Sequence, residues 1–275
     1  MRAADKGVSR MTTRIMITGA GSGLGRALAR HWKEHRLLLT DLDGAAVATV
    51  AEEINSEGGR AIAMAGDITD RYTWHAQAHW LDTHWGGLDW LVNNAGIATA
   101  GGFATESLEQ WRTVMEVDLL GAVQGCQVMA PLLRKSGGAI LNIASSAGLQ
   151  PMPRMGSYCA AKAALVSFSE SLKLELWDAG VSVSVACPAF FKTALGDRLR
   201  SSDPAMAPIL ARLFERAPMT ADEVAAQIAH QFEQQEFLIV PHPATRKALR
   251  LRRWLPLSRY LTMLASQTAR LRNAT

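Results

Sequence analysis

The chain has 275 residues, 48% of them hydrophobic and 20% charged, with a formal net charge of +4. That apolar content excludes a disordered chain, and the 22 glycines are too few and aperiodic for a fibrous one. No stretch approaches the roughly 20 uninterrupted apolar residues that a membrane span needs. Residues 1–12 are read as a flexible N-terminus without the apolar run of a secretory signal, and Met11 stands as an alternative start. Cys126, Cys159 and Cys187 have neither metal-ligand spacing nor an even number, so no metal site is expected and the setting is read as reduced and cytoplasmic.

Short β-rich runs alternate with longer amphipathic segments. Strands are expected at 14–18, 37–40, 60–65, 88–92, 139–144, 181–186 and 237–240. Helices are expected near 23–34, 44–56, 70–84, 106–133, 157–178 and 220–234. The strands are nearly continuous apolar runs, as when helices cover both faces of a sheet, and crossovers of this length require parallel pairing. Residues 13–240 are therefore read as one doubly wound α/β domain with about seven parallel strands.

The first strand runs into Thr18-Gly19-Ala20-Gly21-Ser22-Gly23-Leu24-Gly25, and a helical pattern follows at once. Glycines let the backbone approach a pyrophosphate, and a helix N-terminus offers free N–H groups at a positive dipole end. The alternative, an ordinary turn, is disfavoured by its place between the first strand and the first helix. Asp41 closes the second strand, where a carboxylate accepts both adenosine ribose hydroxyls and repels a 2′-phosphate. This favours NAD over NADP. The competing reading makes Asp41 a cap for the next helix, a role for which Asp43 is better placed.

Tyr158 and Lys162 are spaced i, i+4, which puts both on one face of a helix. An ammonium beside a phenol stabilises phenolate, so the tyrosine pKa is expected to fall from about 10 toward working pH. Such a phenol serves as general acid or base on an alcohol or carbonyl oxygen. Ser145 is expected at the C-terminal end of the fifth strand, where doubly wound sheets place their ligands.

These motifs together resemble the short-chain dehydrogenase/reductase family over about residues 14–240: TGAGSGLG at 18–25, Asp67 after the third strand, NNAG at 93–96, Ser145, YCAAK at 158–162, and Pro188 with Thr193. The resemblance implies a Rossmann-type domain in which Gly19, Gly21, Ser22, Gly23, Leu24 and Gly25 hold the pyrophosphate side. It places Asp41 and Leu42 at the adenosine ribose, and Asp67 with Ile68 at the adenine. Asn94, Ala95 and Gly96 would line the cofactor cleft, and Pro188 and Thr193 would fix the carboxamide. Tyr158 would be the acid/base, Lys162 would bind the nicotinamide ribose and tune Tyr158, and Ser145 would orient the substrate oxygen, with Ser146 as the fallback. A homodimer or homotetramer built on the fourth and fifth helices is also implied. Two positions depart from the family pattern. Asp118 stands where asparagine usually supports a water in the proton relay, and Ala189 stands where glycine usually follows Pro188. A buried Asp118 carboxylate would cost several kcal/mol unless paired or protonated, so altered pH dependence is expected rather than loss of activity.

Residues 189–217 occupy the family's variable substrate lid. Phe190, Phe191, Leu195, Leu199, Met206, Ile209, Leu210, Leu213 and Phe214 make it apolar. They are read either as closing over a hydrophobic alcohol or ketone, or as core and subunit packing. Trp74, Trp80 and Trp85 are read as core or interface. After Glu236 the chain has no acidic residue and eight basic ones, which leaves 21 basic against 25 acidic residues in positions 1–236. The positive charge thus belongs to the extension at 241–275, and nucleic acid is not indicated. Residues 246–260 interleave leucines and Trp254 with arginines, and Pro256 must interrupt any helix there. The segment is read either as lying on an anionic membrane surface or as packed on the body or a partner subunit.

The sequence thus points to an NAD-dependent oxidoreductase for an apolar secondary alcohol or its ketone. The rivals are an NADPH-dependent 3-oxoacyl-carrier-protein reductase, against which Asp41 and Ser22 argue, and a nicotinamide-binding sensor without turnover, against which the Ser145, Tyr158 and Lys162 set argues.

Overall fold

The alternating segments of the first half fold into β1 (Arg14–Thr18), α1 (Gly23–His31), β2 (Arg36–Asp41), α2 (Gly44–Ser56), β3 (Arg60–Ala65), α3 (Arg71–Trp85) and β4 (Trp90–Asn93). A two-residue strand β5 (Thr99–Ala100), α4 (Leu108–Met115), α5 (Gly121–Ser136) and β6 (Ala139–Ile143) follow. The second half supplies α6 (Gly156–Glu175), β7 (Ser182–Ala186), β8 (Arg200–Ser201), α7 (Met206–Glu215), α8 (Ala221–Glu233), β9 (Leu238–Ile239), α9 (Pro243–Trp254) and α10 (Leu257–Gln267). The structure is a computed structural model that describes residues 12–192, 200–201, 203 and 206–269. Thr193, Leu195 and Leu199, singled out from the sequence, lie outside the described residues.

Seven strands form one sheet in the order β3-β2-β1-β4-β6-β7-β9, and every described pairing is parallel. Side chains alternate across it. Ile15, Ile17, Leu37 and Leu39 bury against α1, α2 and α8, while Met16 and Leu38 bury against α3 and α5. Both faces are covered, which is why the strands read as unbroken apolar runs. Trp74 is wholly buried in the second layer and Trp80 and Trp85 pack against it, so these tryptophans are core. Truncating Trp74 to alanine would cost about 3–5 kcal/mol.

The expected helix at 106–133 is in fact three pieces. Ser107 caps α4 by accepting the Gln110 N–H at 3.1 Å. A π-helical turn, Glu116–Leu120, then widens the coil before α5 begins. Such a turn is hard to see in hydrophobic periodicity, because it shifts the pattern by only one residue within an otherwise continuous helix. It carries the buried Asp118.

In the extension, the helix breaks at Pro256 as expected and gives α9 and α10. Their inner side is packed on the body. Leu249 joins the cluster of Val185 and Val240, and Tyr260 is buried with its hydroxyl accepting from Gln150 Nε2 at 2.7 Å. Among the described residues, no helix is long and apolar enough to cross a membrane.

Candidate functional site

β1 is flanked by β2 and β4, and the chain order reverses at this point, so a crevice opens at the carboxyl ends of β1 and β4. The glycine loop forms its floor. Gly19 has φ of 64°, and a Cβ there would meet the Ala95 Cα at 2.7 Å. A Cβ on Gly25 would stand 2.2 Å from the Gly19 carbonyl oxygen. Bare backbone at these two positions therefore lets α1 begin hard against the end of β4. Thr18, wholly inside, fixes the arrangement. Its hydroxyl accepts the N–H groups of Asn94 and Ala95 at 2.9 and 3.0 Å, and Asn94 Nδ2 donates to the Thr18 and Gly19 carbonyls at 2.8 and 3.1 Å.

Ser22 gives α1 no side-chain cap, which leaves the first-turn N–H groups available to an anion at the positive end of the helix. Gly19, Ser22, Gly23, Leu24, Asn94, Ala95 and Gly96 line the crevice, as do Leu42, Asp67 and Ile68. Gly21 and Gly25 do not. Gly25 serves the close packing described above, and the Gly21 N–H donates to Asp41 Oδ2 at 2.9 Å. Asp41 also accepts the Asp43 N–H at 3.0 Å and faces the crevice, while Asp43 caps α2 by accepting from Ala46. Asp43 is thus the cap of α2, as its place in the sequence suggested, and Asp41 lines the crevice.

At the other end, the i, i+4 spacing on α6 brings Tyr158 and Lys162 together. The ammonium lies 5.8 Å from the phenol ring centroid. It donates to the Ile143 carbonyl at 3.2 Å and stands 3.3 Å from Asp118 Oδ2. The other Asp118 oxygen accepts the Ile97 N–H at 2.8 Å. Ser145, two residues beyond the end of β6, lines the crevice, accepts the Ala147 N–H at 3.1 Å and lowers the Tyr158 pKa, while Ser146 also lines the crevice.

Electrostatics here correct the sequence expectation for Tyr158. Burial pushes its pKa up and Lys162 pulls it down, but the Asp118 charge pushes it up again, and it lies above the ordinary phenol value. Burial also opposes the Lys162 ammonium, yet Asp118 and Tyr158 outweigh it and the lysine is held above its usual value. Burial raises the Asp118 carboxyl against the pull of Lys162 and the Ile97 N–H. The Asp118 charge therefore acts on both partners of the pair, raising Tyr158 directly and holding the Lys162 proton on. The thiols of Cys126 and Cys187 are pushed up to about 12 by burial, which makes them poor nucleophiles.

The crevice is continuous with a cavity of about 970 Å³ whose far wall includes Ala98, Met152, Met155, Phe190 and Phe214. On α7, Met206, Leu210 and Phe214 are buried in one cluster with Met155 and Tyr158, and Phe190 meets Phe214 edge to face at 5.0 Å. Phe191 instead joins the main core and Leu213 is partly exposed, so the apolar lid residues divide between cavity, core and surface. Pro188 lines the cavity. The next residue, Ala189, donates its N–H to His242 Nδ1 at 3.1 Å, a contact no sequence spacing announces. Thr18 and Ile97 were likewise missed, since Thr18 acts through its hydroxyl on two backbone N–H groups and Ile97 through one backbone N–H.

The family described as short chain dehydrogenase matches residues 13–204. This chain belongs to the short-chain dehydrogenase family. The family is one of oxidoreductases. Among its relatives, 2,5-dichloro-2,5-cyclohexadiene-1,4-diol dehydrogenase LinX of Sphingobium indicum is 37% identical over 183 residues, 66% of this chain and 73% of that protein. Probable oxidoreductase EphD of Mycobacterium tuberculosis is 38% identical over 185 residues, 66% of this chain. That match spans only 31% of EphD's own length. A solved short chain dehydrogenase/reductase from Burkholderia phymatum in complex with NAD superposes with a TM-score of 0.83 at 31% identity, covering 88% of this chain and 93% of that one.

Proposed function

We propose that this short-chain dehydrogenase interconverts an apolar secondary alcohol and its ketone with NAD as the hydride carrier. One observation carries the reading: a single cavity runs from the glycine loop and Asp41, past Ser145, Tyr158 and Lys162, to a wall of methionine and phenylalanine. The residues present fit a dinucleotide. Gly19 lies so close to Ala95 that no side chain fits there, the start of α1 is uncapped, and Asp41, held by the Gly21 and Asp43 N–H groups, lines the cleft. A fixed carboxylate accepts ribose hydroxyls and repels a 2′-phosphate.

When bound, the nicotinamide supplies hydride chemistry at the carbinol carbon. The chain's own residues manage the oxygen. Ser145 Oγ orients it, and Tyr158 Oη takes the hydroxyl proton during oxidation or returns it during reduction. Lys162, kept charged by Asp118, stabilises the phenolate and would hold the nicotinamide ribose. Phe190, Phe214 and Met155 exclude water and favour an apolar substituent.

Titration of NADH and NADPH by fluorescence tests the reading. NADH is expected to bind more tightly, and Asp41→Ala is expected to weaken it roughly 10- to 100-fold, the worth of a hydrogen bond to a charged group. Preference for NADPH in the wild type would overturn the assignment of Asp41 and promote the carrier-protein reductase reading.

A further inference from the structure

We propose that the α9–α10 extension is a surface that docks on anionic lipid bilayers. Three observations support it. The inner side of the extension is spoken for, by Leu249 and Tyr260 in the body and by Arg252, which donates to the Leu149 carbonyl. The outer side is bare and apolar: Leu251 is 44% exposed, Trp254 83%, Leu257 60% and Leu261 45%. On α9, Lys247, Arg250, Leu251 and Trp254 fall on one face at helical spacing, so the exposed apolar groups sit among exposed cations.

The charge decides the occupant. Lys247, Arg250, Arg253 and Arg259 are exposed, and no acidic residue follows Glu236 to neutralise them. A second copy of this chain would bring the same cations face to face, whereas an anionic bilayer offers complementary charge and an apolar layer at once. At 12 and 11 residues the helices are too short to cross, so they must lie in the plane of the interface, with Trp254 at headgroup depth. The surface also adjoins the cavity. Gln150 and Leu149 follow the Ser145 turn, and His242, just before α9, holds the backbone after Pro188.

The test is co-sedimentation of the full chain with vesicles of phosphatidylcholine alone and of phosphatidylcholine mixed with phosphatidylglycerol. Binding is expected only to the anionic vesicles. The double change Arg250→Ala with Arg253→Ala is expected to weaken it about 25-fold, at roughly fivefold per basic residue near the surface. Trp254→Ser is expected to weaken it with both arginines in place, and a melting temperature unchanged from wild type shows that neither variant has unfolded. Absence of binding to anionic vesicles, equal binding to neutral ones, or binding indifferent to these substitutions would each overturn the proposal. So would sedimentation analysis without lipid in which Trp254→Ser reduces the assembly mass while the wild type ignores vesicles, because the face is then a contact between copies.

Discussion

At the glycine-loop end of the cavity the walls are backbone: Gly19 and Gly25 press against Ala95 and each other, and Thr18 and Asn94 lock the loop with four hydrogen bonds. At the opposite end the walls are side chains: Met155 just before α6, Phe190 beyond β7 and Phe214 on α7. The difference teaches where selectivity resides. A backbone cradle recognises a group common to many ligands and tolerates no added atoms. An apolar side-chain wall adapts to shape, and it changes with few consequences for the fold. Tyr158 stands where the two meet, in contact with the apolar cluster on one side and with Ser145 and Lys162 on the other.

Tyr158→Phe is the sharpest cut between the two ends. Turnover is expected to fall about 10²- to 10⁴-fold while NADH affinity holds, as measured by steady-state kinetics and titration. Equal losses in both would mean that the phenol serves binding rather than proton transfer. Gly25→Ala attacks the backbone end, since the new methyl meets a carbonyl at 2.2 Å. The shift of α1 should cost about 1–3 kcal/mol, lowering the melting temperature and NADH affinity together. Phe214→Ala attacks the opposite end. It is expected to raise KM for bulky apolar ketones about tenfold and leave NADH binding alone, so a change in nucleotide affinity would erase the division drawn here.

The smallest expected effect is a shift of profile. Tyr158 must lose its proton to serve as base in alcohol oxidation, and the Asp118 charge holds that proton on. Asp118→Asn removes the charge, so the rise of oxidation rate is expected at lower pH than in the wild type. A profile that stays in place or moves upward would remove Asp118 from the account of the tyrosine.

Much of this site was legible in the residue order. Tyr158 and Lys162 needed only helical spacing, and Asp43 announced itself as a cap by preceding α2. Burial was less legible. The sequence placed Lys162 beside Tyr158 and predicted a lowered phenol pKa, because the desolvation that opposes it and the third charge at Asp118 come from separate elements. The π-turn that presents Asp118 was hidden inside one apolar periodicity, and the lid phenylalanines looked alike although Phe191 faces the core and Phe214 the cavity.

By itself, then, the sequence determined the parallel sheet, the glycine cradle and the tyrosine–lysine pair. Those depend on periodicity, spacing and residue type within a few neighbouring positions. Only the tertiary structure decided how the Asp118 charge bears on Lys162 and on Tyr158, which lid phenylalanine faces the cavity, and which side of α9 and α10 stays bare. Each of these depends on desolvation and on contacts between segments tens of residues apart, and such contacts exist only once the sheet has brought them together.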